Sequence, residues 1–192
     1  MNKRFSIGLL LVTGLLTTVA PVNAQQPKLI RIGILVAGPS SAVSTRLEAF
    51  RRGLRERGYV EGKNIALEYR YGEGKLERMS ELAAQLVRLK VNVIVTAGSQ
   101  ATRPAKEATH TIPIVMANDN DPVGSGFIAN LAKPGGNVTG LANLTTELSG
   151  KQVELLKEIR PKLSQIAVLR DLTEPATHRR YERLISPCKR TN

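Results

Sequence analysis

The residues able to do chemistry fall in three short polar stretches. Ser40 and Ser41 follow Gly38-Pro39, Ser99 and Gln100 follow Gly98, and Asn118-Asp119-Asn120-Asp121 precedes Pro122. Their common chemistry is non-covalent. Hydroxyls and amides at the start of a helix sit beside free backbone N–H groups, which favour carboxylates and other anions. A carboxylate such as Asp119 can pair with an ammonium. Each stretch also has a plainer reading. Asp121 before Pro122 has the form of a helix cap with proline at the first helical position, and ligand contact is its second role. Asn118, Asp119 and Asn120 are better placed for contact. Ser99 and Gln100 could cap a helix or meet an anion, and Ser40 and Ser41 are similar.

Catalytic chemistry finds no matching set. The chain has no HExxH, no GxSxG and no paired nucleophile and base, so no catalytic residue and no enzyme activity is assigned. Gly72-Glu73-Gly74-Lys75 and Gly58 to Lys63 have the wrong spacing for a phosphate loop. Two histidines and a single cysteine, Cys188, give no metal site and no internal disulfide. No cofactor is implied. Asn137-Val138-Thr139 and Asn143-Leu144-Thr145 match the glycosylation pattern by chance.

These stretches have to be held by ordered elements. The 192 residues include 42% hydrophobic and 23% charged side chains, a globular balance that excludes a wholly disordered chain. Residues 29–36 (LIRIGILV), 65–69, 91–97, 114–116, 138–141 and 166–169 are short apolar or alternating runs, read as strands. Between them Leu47, Phe50 and Leu54 recur at helical spacing, and so do Leu76, Met79, Leu82, Ala83 and Leu86. Further helices are expected from Gln100 to Thr109, after Pro122 to about Ala132, and from Ser149 to Ile159. Residues 118–122 read as a polar loop, and Pro134-Gly135-Gly136-Asn137 as a turn. Helices between strands require parallel pairing, because a parallel return needs a long crossover. Right-handed crossovers then place helices on both faces. The fold class is α/β, a doubly wound parallel sheet over residues 28–142. In such sheets ligands bind beyond the carboxyl ends of the strands, where all three polar stretches fall.

The ends carry different signals. Lys3 and Arg4, the uncharged run from Phe5 to Ala20, and Val22-Asn23-Ala24 form the charged, apolar and small pattern of a secretory signal over residues 1–24. Cleavage is expected after Ala24, giving a periplasmic protein. Residues 172–192 form a basic tail with Arg179, Arg180, Arg183, Lys189 and Arg190.

A resemblance refines this reading. Gly98-Ser99-Gln100-Ala101, Thr111-Ile112-Pro113-Ile114-Val115, Asp121-Pro122-Val123-Gly124 and the run Leu131 to Gly140 (LAKPGGNVTG) resemble the ABC-transporter substrate-binding protein family related to tryptophan- and tyrosine-binding components. Phe50-Arg51-Arg52-Gly53-Leu54, Gly58 to Asn64 and Glu147 to Lys151 fit the same pattern. The resemblance implies a type I periplasmic-binding-protein fold, in which two α/β lobes close on a small ligand and the loaded protein docks on an ABC permease in the inner membrane. It also implies that residues 143–171 are a crossover and the start of a second lobe. Members run longer, so truncation and impaired binding are expected. The implied partners are a small molecule, such as an amino acid, and the permease; no nucleic acid is expected, and the chain is expected to be a monomer. The alternatives are a small exported α/β enzyme and, given a net charge of +12, a basic nucleic-acid-binding domain.

Overall fold

The computed structural model describes residues 29–143, 145–169 and 181. The expected signal segment, and the basic tail apart from Tyr181, lie outside these residues. Strands β1 (Ile30–Val36), β2 (Ile65–Tyr71), β3 (Val93–Ala97), β4 (Ile114–Asp119) and β5 (Val138–Ala142) form one sheet in the order β2-β1-β3-β4-β5. Every pair is parallel. Helices α1 (Ser44–Glu56), α2 (Met79–Arg88) and α3 (Ser99–Ala108) connect the first four strands, and α4 (Thr145–Ile159) follows β5.

The period-2 pattern of the strands sorts side chains to two faces. Ile32, Ile34 and Val36 of β1 point to one face, where they pack with Leu47, Phe50 and Leu54 of α1. Leu35, Ile94, Ile114, Met116 and Val138 point to the other, under Met79, Leu82, Ala83 and Leu86 of α2 and Ala101 and Ala105 of α3. Topology explains the division. From β1 the chain steps outward to β2, then returns past β1 to β3. Excursions of opposite direction with right-handed crossovers lie on opposite faces. The order reverses between β1 and β3, so the switch point lies at their carboxyl ends.

Three expectations are corrected. Asn118 and Asp119 belong to β4 and not to a loop. The ladder continues because both neighbours supply donors: Gly98 N–H donates to the Asn118 carbonyl at 3.0 Å, and Asn143 N–H to the Asp119 carbonyl at 2.7 Å. The helix expected after Pro122 is a series of turns. Gly124 and Gly126 disfavour a regular helix there, and Gly126 has φ +72°, which ends the turn. The segment instead inserts Phe127 and Ile128 into the core beside α3. Residues 166–169 form no strand; Ile166, Val168 and Leu169 are exposed. No described strand pairs with them, and an unpaired strand cannot complete its backbone hydrogen bonds.

Candidate ligand-binding site

Parallel pairing brings the carboxyl ends of β1, β3 and β4 side by side, and the polar stretches leave from these ends. After β1, Ser40 and Ser41 open a short 3-10 helix (Ser40–Val43) that leads directly into α1. Both serines are exposed. After β3, Gly98 takes φ +80° and turns the chain sharply into α3. A side chain would be strained in that conformation. Gly98 thus places Ser99 as the first residue of α3, directly beside the end of β4.

Asp119 is fully buried, and its carboxylate ties these segments together. Its Oδ1 accepts from Ser99 Oγ at 3.0 Å and from the Asp121 N–H at 3.3 Å. Its Oδ2 has no partner among the described residues. Burial pushes the Asp119 carboxyl above its ordinary range, against the opposing pull of the hydrogen bonds from Asp121, Ser99, Asn120 and Thr102. Below Ser99, Thr102 donates to the Gly98 carbonyl at 3.0 Å, and its hydroxyl lies 2.9 Å from Thr96 Oγ1. Thr96 and Thr102 are buried polar residues that the sequence reading passed over. Their signal was available: each is a hydroxyl at a position whose period calls for an apolar side chain.

The other candidates scatter around this knot. Asp121 does cap, but it caps a turn: its Oδ1 accepts from Gly124 N–H at 2.8 Å. Asn143 reaches across from β5 to Asn120 Oδ1 at 3.3 Å. Gln100 is half-buried on the other side of α3, in a shallow depression shared with Met79, Ser80, Arg103 and Glu107. Asn118 faces the opposite side of the sheet from Asp119. There it lines an apolar cavity of about 390 Å³ with Val36, Val43, Arg46, Leu47, Phe50, Val95, Ala97 and Ala117. This apolar hollow therefore does not coincide with the Ser99–Asp119 knot. The two adjoin through β3 and β4, since Thr96 and Asn118 line the hollow while Thr96 also bonds Thr102 beneath the knot. What the structure brings together is Ser99, Asp119, Asn120 and Asp121. Ser40 and Ser41 stand at the neighbouring strand end, and Gln100 and Asn118 diverge.

The 121–134 connection is held against α3 by two cations. Lys106 Nζ donates to the carbonyls of Gly126 and Phe127, and Arg103 donates to the Ser125 carbonyl at 3.4 Å while its guanidinium lies over the Phe127 ring, 5.2 Å from its centre. These are positioning contacts, since they fix the loop that begins with Asp121. Among the described residues no group of three or more His, Cys, Asp or Glu side chains could hold a metal ion.

Known proteins place this architecture. A tyrosine-binding protein of Clostridioides difficile (strain R20291) is 29% identical over 170 residues, which is 88% of this chain and 48% of that protein. The chain thus spans about half the length of this curated relative. A crystal structure of a conserved domain protein from Vibrio cholerae superposes with a TM-score of 0.74 and 31% identity, covering 85% of this chain and 55% of that one. An ABC domain from Streptococcus pneumonia in complex with L-Trp superposes with a TM-score of 0.72 and 26% identity, covering 84% and 54%. A leucine-binding protein from Thermotoga maritima shares the fold at 14% identity with a TM-score of 0.65. The five-stranded parallel lobe is therefore of the type I periplasmic-binding-protein kind. With residues 30–192 matching the family model for ABC transporter substrate binding protein, the chain belongs to that family.

Proposed function

We propose that this chain is the extracytoplasmic solute-binding component of an ABC importer, with an amino acid as ligand and no catalytic role. The observation that carries the reading is the convergence of Ser40, Ser41, Ser99, Asn120 and Asp121 at the carboxyl ends of one parallel sheet. Helix starts and hydroxyls there suit a ligand carboxylate, and polar side chains from β4 suit its ammonium. The relatives' ligands, tyrosine and L-Trp, support an amino acid. In this reading residues 1–24 are a signal peptide cleaved after Ala24, residues 28–142 are one jaw of an interlobe cleft, residues 143–171 cross toward the second jaw, and residues 172–192 are a basic tail. The loaded protein delivers its ligand to a permease in the inner membrane, which places it in the periplasm. Among the described residues no helix is long and apolar enough to cross a membrane.

A cleft binder gains affinity by enclosing its ligand from two sides. One jaw leaves half the ligand in water. Residues 1–192 by themselves, which supply one side of such a cleft, are expected to bind tyrosine or tryptophan weakly. The test is a titration followed by amide resonances, with calorimetry in parallel. The expected result is a saturable shift at Gly98, Ser99 and Asn120 with one amino acid class, lost in Ser99→Ala. Absence of shifts at these residues for every amino acid would overturn the site. Micromolar or tighter affinity would overturn the one-jaw reading.

A further inference from the structure

A hydroxyl has one proton to give. Ser99 Oγ gives it to Asp119 Oδ1, at 3.0 Å. The reverse arrangement is closed, because the Asp121 N–H donates to the same Oδ1 at 3.3 Å, so a proton on this carboxyl can sit only on Oδ2. With Asp119 charged or neutral, Ser99 therefore offers lone pairs alone. Both bonds join β4, α3 and the turn after β4, so the pattern is set within this lobe and does not depend on further chain. Its neighbours repeat it. Thr102 gives its proton to the Gly98 carbonyl. The Asp121 carboxylate, which accepts from the Gly124 N–H at 2.8 Å, has none to give. The cations of α3, Arg103 and Lys106, are turned to the carbonyls of Ser125, Gly126 and Phe127.

The start of a helix ordinarily favours an anion. At α3 that place is already taken from inside the lobe. Gly98 supplies no side-chain cap, and the carboxyl of Asp119, 0% exposed, lies against Ser99 instead. Its Oδ2 is a buried acceptor with no partner among the described residues, and such an atom calls for a donor. We propose that this corner is the cation pole of the site: it takes the ammonium of the ligand against half-buried Asn120 and Asp121, with Ser99 and Asp119 behind them, and turns a carboxylate away. The ligand class is a primary amine in its protonated form. Asp119 is a positioning residue, since it is enclosed and acts through Ser99 and through its charge. The proposal rests on the amino-acid reading and refines it: the Ser99 hydroxyl serves the ammonium, and the carboxylate falls to other parts of the cleft.

The experiment is a titration near neutral pH, followed by amide resonances, with three probes that share one ring system. These are L-Trp, tryptamine, which lacks the carboxylate, and indole-propionate, which lacks the ammonium. Tryptamine is expected to shift Ser99, Asn120 and Asp121 saturably, and indole-propionate to leave them in place. Asp119→Asn puts a donor where Oδ2 stood, and Asp121→Asn removes the outer charge while keeping an oxygen for the Gly124 N–H. Each is expected to narrow the preference for tryptamine over indole-propionate by about tenfold. A merely structural role would weaken both probes alike and leave that ratio unchanged, which overturns the proposal. So does indole-propionate shifting Ser99 as strongly as tryptamine. If L-Trp shifts Ser99 and tryptamine does not, the cation pole falls and the amino-acid reading stands. If tryptamine shifts Ser99 and L-Trp does not, the pole stands and the amino-acid reading falls. Silence of all three probes overturns both.

Discussion

Asp119 is a carboxylate buried where β4 ends, and its two oxygens have unequal surroundings. Oδ1 is held by Ser99 and by the Asp121 backbone, whereas Oδ2 has no described partner. Burial raises its pKa, so the folded protein holds this proton to higher pH than the unfolded chain does. The sign follows from linkage: between the unfolded and folded values the native state binds more protons, so stability falls as pH rises through that window. Asp119→Asn is neutral at every pH and keeps an oxygen for Ser99. It is expected to flatten the decline in stability that begins above the ordinary aspartate range, with the gain over wild type greatest at neutral pH. Urea denaturation across pH 4 to about 8 checks this; an unchanged pH profile would count against a raised pKa. Ser99→Ala has the opposite sign, because it strips a donor from a buried charge, and costs about 1–3 kcal/mol near neutral pH. The residues of this knot were legible in the sequence as a polar group near a helix start. Their burial was not. Nothing local to Asn118-Asp119-Asn120 says that β3 and β5 would extend the ladder past Met116 and fold Asp119 inward.

At the scale of elements, the strands and α1 to α3 were readable because each carries a clean period and ends in Gly or polar residues. The failures lie where neighbours outvote the local pattern. The Pro122 to Ala132 stretch has a helix-like start, but its glycines and the core's demand for Phe127 and Ile128 make it a turn-rich plug. That plug is fastened by Lys106. Lys106→Met keeps the stem and removes the donor, and is expected to speed amide exchange of Phe127 and Ile128 several-fold while leaving β1 and β3 unchanged. Equal protection in both proteins would mean that Arg103 and the burial of Phe127 hold the loop without Lys106. The β4–β5 seam makes a sharper demand. Gly140 has φ +141°, and a Cβ there would lie 2.2 Å from the Met116 carbonyl oxygen. Gly140→Ala must part the two strands beside the Met116–Asp119 irregularity. A loss of about 3 kcal/mol or more is expected in chemical denaturation. A loss under about 1 kcal/mol would show that the seam can shift.

For the molecule as a whole, the question is what α4 contributes. Both core clusters are built from residues between Ile32 and Val138, and among the described residues none of α4 belongs to either. The lobe's stability therefore resides in the sheet, α1, α2, α3 and the Phe127 plug. A chain ending after Asn143 retains each of these, including the Asn143 N–H that closes the ladder on the Asp119 carbonyl. Such a chain is expected to unfold cooperatively, with a midpoint within about 5 °C of the full chain. If α4 supports the lobe, the shortened chain melts lower than the full chain; if it does not, the two midpoints coincide. Thermal unfolding of both chains distinguishes the cases. A shortened chain that fails to fold would place part of the lobe's stability beyond β5, where the hydrophobic clusters show none.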